Sequence, residues 1–172
     1  MFKLAGFSTL EASEASQAVM MIERQLALAH FSQVKLRDSQ ANYHLYTVDS
    51  LKASFPGFCW DTYFATLGCP ELKEISVSQE EPIRKSIEIM NTAQIKDLRY
   101  YMQWQVLSAA ASYMSDEFAE EKFNFHGKVI SGRQEQSPRW KRAVSVVDGS
   151  LGMAVGKLYC EKYFNADAKA RM

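Results

Sequence analysis

Histidine, cysteine and the carboxylates carry most metal binding, nucleophilic attack and acid–base chemistry in proteins, and their spacing here builds none of the usual sites. His30, His44 and His126 are the only histidines. None has a histidine, cysteine or carboxylate three or four residues away, the offset that sets two ligands on one helix face, and H-E-x-x-H does not occur. Each lone histidine therefore reads as a structural or surface residue. Cys59, Cys69 and Cys160 are odd in number and lack C-x-x-C spacing, which points away from a disulfide framework or zinc knuckle. Burial of at least two of them as small apolar groups is the expectation. Asp116, Glu117, Glu120 and Glu121 gather at the start of a predicted helix, where acids complement the positive end of the dipole, so they read as a solvated face rather than a catalytic pair.

Gly149-Ser150-Leu151-Gly152 is a fragment of a nucleophile elbow placed inside a helical stripe, and no glycine-rich phosphate loop is present. The sequence thus predicts no catalytic, cofactor-binding or metal-binding residue in this chain. One cluster has binding potential. Arg139-Trp140-Lys141-Arg142 is the densest basic run, with Lys128 and Arg133 nearby. Arg139, Trp140 and Arg142 are candidates for contact with a neighbouring domain or for pairing with an anion, because tryptophan between cations often marks a packed contact. The competing reading is a solvated helix start.

The elements that would position these residues are mostly helices. The 172 residues are 47% hydrophobic and 12% aromatic, ample for a folded core. Twenty basic and twenty acidic residues cancel, with no like-charge run, so nucleic acid is not an expected partner. No stretch approaches the roughly 18 apolar residues of a membrane span, and the first residues lack the charged and apolar regions of a signal peptide.

Ser8 and Glu11 form a capping-box pattern ahead of Ala15, Val19, Ile22, Leu26 and Ala29, which predicts a helix from about Thr9 to His30. An ordered but irregular stretch follows to Tyr46. Thr47 caps a short helix that Pro56-Gly57 ends, and Trp60, Tyr63, Phe64 and Leu67 make another that stops at Gly68. Ile75 to Ser78 is the one strand-like alternation and needs a partner from elsewhere.

Pro82 at a first helical position starts the next helix, and Asn91-Thr92 caps the one after it. The buried stripe of that later helix is expected at Ile95, Leu98, Met102, Gln105 or Val106, and Ala109. A helix from Ser115 containing Phe118 and Phe125 gives way to a loop punctuated by Gly127 and Gly132. Ser137-Pro138 opens a long helix whose buried side is expected to hold Trp140, Val144, Val147, Leu151, Val155 and Leu158, with Trp140 a core anchor. Asn165 reads as the cap of a further helix that continues into a longer protein.

Specific runs carry a resemblance. Leu98-Arg99-Tyr100-Tyr101-Met102-Gln103-Trp104-Gln105, Phe125-His126-Gly127-Lys128, Trp140-Lys141-Arg142-Ala143-Val144, Val147-Asp148-Gly149 and Ala154-Val155-Gly156-Lys157-Leu158-Tyr159 occur in this order. Together they resemble the neprilysin and endothelin-converting-enzyme family of zinc metallopeptidases, which includes bacterial oligopeptidases. Asn42-Tyr43-His44-Leu45-Tyr46-Thr47 followed by Phe58-Cys59-Trp60-Asp61 is similar to an earlier segment of the bacterial members.

The resemblance implies a mainly α-helical lobe with at most one strand pair, residues 1–172 being part of the amino-terminal cap domain. The intact protein would hydrolyse peptide bonds with water activated by zinc and a glutamate base. Its zinc ligands and catalytic domain would lie farther along, leaving this segment non-catalytic and helping to enclose a substrate chamber. The family's Asn-Ala-aromatic-Tyr substrate motif is not matched by Asn165-Ala166-Asp167-Ala168. The implied partners are the catalytic domain of the same polypeptide and peptide substrates, and the implied location is outside the cytoplasm: periplasmic, secreted or membrane-anchored. A self-contained helical module binding a peptide or protein through an exposed aromatic face is the alternative.

Overall fold

The computed structural model describes residues 1–164 and 171, in two compact units, one of residues 1–115 and the other from Asp116 onward. The Asn165 cap and the motif that begins there lie outside the described residues.

In the first unit, α1 (Thr9–Ala29) begins at the expected capping box: the Glu11 amide donates to Ser8 Oγ at 3.2 Å, and the Ser8 amide donates to Glu11 Oε2 at 3.0 Å. Ala12, Ala15, Ala18, Val19 and Ile22 form its buried face. Three alanines on that face allow close approach by α5 (Ile95–Ala110), whose Tyr100 is buried with Phe2 in the same cluster. Phe7, Tyr101, Trp104 and Leu107 pack around it.

A second core lies beneath a two-stranded antiparallel sheet. β1 (His44–Thr47) pairs with β2 (Glu74–Val77) in the register His44 with Val77 and Tyr46 with Ile75. β2 answers to the expected alternation, whereas β1 lies in the stretch expected to be irregular. Its polarity is inverted: half-buried His44 and Tyr46 point inward while Leu45 is exposed, so an apolar–polar count finds no strand there. Two short helices follow β1 and precede β2, α2 (Val48–Ser54) capped by Thr47 and α3 (Trp60–Thr66) ending ahead of Gly68 at φ +77°. Leu51, Phe55, Trp60, Phe64, Val77 and Ile87 close this core, and the Trp60 indole donates to the Phe55 carbonyl at 2.9 Å.

Two helix boundaries differ from expectation. α4 (Glu80–Thr92) starts two residues before Pro82, which sits in the first turn where an N–H has no intrahelical acceptor to lose. Asn91 and Thr92 finish α4 instead of capping α5. The Asn91 amide group donates to the Ile87 and Gly57 carbonyls, at 2.8 and 3.1 Å, and the Thr92 hydroxyl to Glu88. Gln94 takes the N-cap position of α5.

α5 also turns the other way from expectation. Its inward side carries Tyr100, Trp104 and Leu107, while Ile95, Met102 and Val106 are 77%, 62% and 64% exposed. The helix is apolar on both sides, and the aromatic side wins the contact with α1 because its large rings fill the space left by the alanines.

In the second unit, α6 (Asp116–Lys122) runs into a π-helix (Phe123–Ile130), so Gly127 lies inside a helical element and not in a loop. Gly132, at φ +64°, makes the turn beyond. α7 (Arg139–Tyr163) starts after Pro138 as expected and bends at Leu151, whose φ of −127° and ψ of 28° are not helical. Gly149 and Ser150 precede that bend and Gly152 follows it, the kind of sequence at which helices kink. α7 buries no residue, and Trp140 is 64% exposed. The core-anchor expectation for Trp140 therefore fails within this chain: the stripe residues Trp140, Val144, Val147, Leu151 and Leu158 are exposed.

Candidate functional site

The histidines stay apart in role. His44 Nδ1 is 2.9 Å from the Val77 carbonyl and belongs to the sheet, whereas His30 is the C-cap of α1 and His126 lies exposed in the π-helix. All three cysteines are free and exposed, contrary to the burial expected of them. Cys59 and Cys69 flank α3 at its ends, and Cys160 sits on α7, which buries no residue. Among the described residues no three histidine, cysteine or acidic side chains converge as metal ligands.

Perturbed groups in the first unit act as staples between elements. A hydrogen bond to Glu80 raises the Tyr46 phenol above its ordinary pKa and ties β1 to α4. Burial, then Glu23, raises Tyr101 between α5 and α1. Lys96 is raised chiefly by its hydrogen bond to Glu14, joining the same two helices. None of these pairs an activated group with a nucleophile.

The basic cluster is a built structure. Gly127 is buried, and a Cβ there would overlap the Phe123 ring, so the glycine is what lets this ring fold back over the π-helix. The Lys128 ammonium and Arg133 guanidinium lie 5.7 and 5.6 Å from the centre of that ring. The Arg133 amide donates to the Gly127 carbonyl at 2.9 Å, and its Nη2 donates to Ser137 Oγ at 2.9 Å. Arg142 Nη1 donates to the Ser137 carbonyl at 3.3 Å.

Arg139 lies 3.9 Å from Asp116 in an exposed pair, and the Lys141 ammonium lies 5.5 Å from the Trp140 ring centre. Of the three sequence candidates, Arg142 joins the cluster, while Arg139 and Trp140 lie outside its hydrogen bonds. Phe123, Gly127 and Ser137 were not singled out from sequence as parts of it. The aromatic four residues before a glycine at helical spacing was the available signal.

The comparisons with known proteins bear on the whole chain. The family model described as Peptidase family M13 matches residues 1–172. The chain belongs to peptidase family M13. It is 29% identical over 176 aligned residues to neprilysin-2 of Drosophila melanogaster, covering 90% of this chain and 22% of that protein. It is 27% identical to human endothelin-converting enzyme 1, covering 90% of this chain and 20% of the enzyme.

Its fold matches zinc metalloprotease Zmp1 of Mycobacterium tuberculosis in the open state, with TM-score 0.85 at 30% identity over 96% of this chain and 26% of that one. PepO from Lactobacillus rhamnosis matches with TM-score 0.77 at 18% identity, a likeness of fold. This M13 chain thus spans about a fifth to a quarter of the relatives it matches, and it corresponds to the family's amino-terminal region. Its described residues do not fit a zinc site, for want of three convergent ligands. No helix among them is long and apolar enough to cross a membrane.

Proposed function

We propose that residues 1–172 are a non-catalytic part of the amino-terminal cap domain of a zinc metalloendopeptidase, and that they help to enclose a chamber admitting peptides. The observation that carries this reading is the pair of uncovered stripes. α5 presents Ile95, Met102 and Val106 outward, and α7 presents Trp140, Val144, Val147, Leu151 and Leu158. Stripes at helical spacing are the mark of a helix face that meets another element. The partner is the remaining polypeptide, which in the relatives makes up about three quarters of the chain or more. Trp140, with Arg139 and Arg142 beside it, is part of that contact between domains.

In this reading the zinc, its ligands and the peptide-bond chemistry belong to the remainder, and the present residues supply shape and exclusion. The whole protein works outside the cytoplasm, in keeping with the resemblance to neprilysin and endothelin-converting enzyme. The test is to extend the open reading frame beyond residue 172 and assay the complete polypeptide. The expected outcome is an H-E-x-x-H downstream and chelator-sensitive hydrolysis of a peptide, with none from the 172-residue chain alone. A frame without that motif, together with a monodisperse 172-residue monomer that unfolds cooperatively and binds a peptide through α7, would establish the binding-module alternative instead.

A further inference from the structure

Arg133 and Arg142 are moored on one residue, the first on the Ser137 hydroxyl and the second on the Ser137 carbonyl. Lys128 joins them through the Phe123 ring that it shares with Arg133. None of the three has an ion-pair partner among the described residues, although Arg139 has Asp116. Arg133 and Arg142 are thus like charges held on one residue, and Arg142 has a further unfavourable neighbour. The first turn of α7 contains Arg139, Lys141 and Arg142, no acidic residue and no side-chain cap, so Arg142 also meets the partial positive charge of a helix N-terminus. The chain has as many acidic as basic residues, yet among the described residues no carboxylate pairs with Arg133, Arg142 or Lys128.

We propose that Arg133, Arg142 and Lys128 form a clamp for a carboxylate that comes from outside these residues. Each guanidinium places one nitrogen on Ser137 and keeps its other N–H groups for a planar oxyanion. The mooring and the Phe123 ring hold the forks before the ligand arrives, which lowers the ordering cost of binding. A carboxylate suits the site better than a phosphate. The donors are side-chain forks, and the N-cap of α7 is Pro138, which has no N–H to add to a phosphate-binding run of backbone amides. The carboxylate has two sources: an aspartate or glutamate of the remaining polypeptide, or the terminal carboxylate of a peptide, this second source resting on the peptidase reading.

The experiment uses the complete polypeptide, with R133Q/R142Q as the main variant. S137A, which unmoors Arg133 and keeps every charge, runs beside it so that the test is readable if the double variant does not fold. Two measurements separate the sources: Tm at low salt and at about 1 M salt, where surface charge is screened, and KM for one peptide as its free acid and as its amide. An in-chain carboxylate predicts a lower Tm for R133Q/R142Q at low salt, a gap that narrows at high salt, and unchanged KM. A substrate carboxylate predicts KM raised about tenfold or more for the free acid alone, the effect of losing a charged hydrogen bond, with Tm unchanged.

S137A moves the same quantity in the same direction by less. Equality with wild type in Tm, salt dependence and both KM values overturns the clamp, and so does a Tm that rises on removing the charges. If wild type hydrolyses no peptide, the peptidase reading fails by itself and the Tm comparison alone decides the clamp.

Discussion

Single residues in this chain do three physically different jobs, and each responds to a different perturbation. At the head of α1 the Ser8 hydroxyl, and then the Ser8 amide, donate to the Glu11 carboxylate, and that bonding holds the carboxyl below its ordinary pKa. A carboxylate with a depressed folded-state pKa contributes stability above its unfolded pKa and loses that contribution as pH falls through the folded value. Melting followed from pH 7 down past the ordinary glutamate range should therefore show an acid loss that is smaller in Glu11→Gln. Ser8→Ala should lower Tm at neutral pH by a few degrees, the usual weight of an N-cap.

Gly127 works through space rather than charge. An alanine there drives the Phe123 ring off the π-helix, and overpacking of this kind costs about 1–3 kcal/mol. Denaturant melting gives that number, and the Lys128 and Arg133 contacts with the ring should vanish from NMR spectra of the same variant. Trp140 is the third case. In the 172-residue chain Trp140→Ala should change stability by no more than about 0.5 kcal/mol, as for other exposed positions. In the complete polypeptide the same change should cost about 3–5 kcal/mol, the range for a buried aromatic. Equal small effects in both would mean that the indole is never covered.

Elements show why parts of this fold were legible from sequence and others were not. α1 was, because its cap and its apolar face agree: Ala15, Val19 and Ile22 are both periodic and buried. β1 was not, because the inward positions His44 and Tyr46 are the more polar ones and their neighbour Leu45 points out. α5 is the instructive case. Periodicity finds a stripe through Ile95, Met102 and Val106, and that stripe exists, but the aromatic face opposite is the one that α1 covers. Two-sided apolar character cannot say which side meets which neighbour.

The basic cluster was half legible. The run Arg139-Trp140-Lys141-Arg142, with Lys128 and Arg133 nearby, is visible in the sequence as basic, whereas the Phe123 ring and Ser137, which organise part of it, are ordinary residues whose role appears once the π-helix is formed. The stripe on α5 gives an element-scale prediction. Met102→Glu with Val106→Glu should leave the melting of the short chain nearly unchanged while destabilising the complete polypeptide. Calorimetry of both is the check.

At the scale of the molecule, the first unit holds two cores of its own, while the described residues of the second bury little beyond Phe118, Ala119 and Gly127. Stability is accordingly uneven. Regions with few buried apolar contacts open at low free energy, and α7 carries Gly149, Gly152 and Gly156, each about 1 kcal/mol poorer than alanine in a helix. No neighbouring atom within 4 Å occupies the space left by any of these three glycines.

That dilution with glycine bears on the order in which the protein is made. A ribosome that has just released residue 163 has produced a helix too weak to persist by itself, displaying Trp140, Leu151 and Leu158 to whatever binds apolar segments. α1 and α5 can already be docked at that moment, since both lie within the first unit. Hydrogen exchange on stalled nascent chains should find the amides of α1 protected and those of α7 exchanging freely. A chaperone should be found crosslinked to α7, leaving it when a covering element emerges.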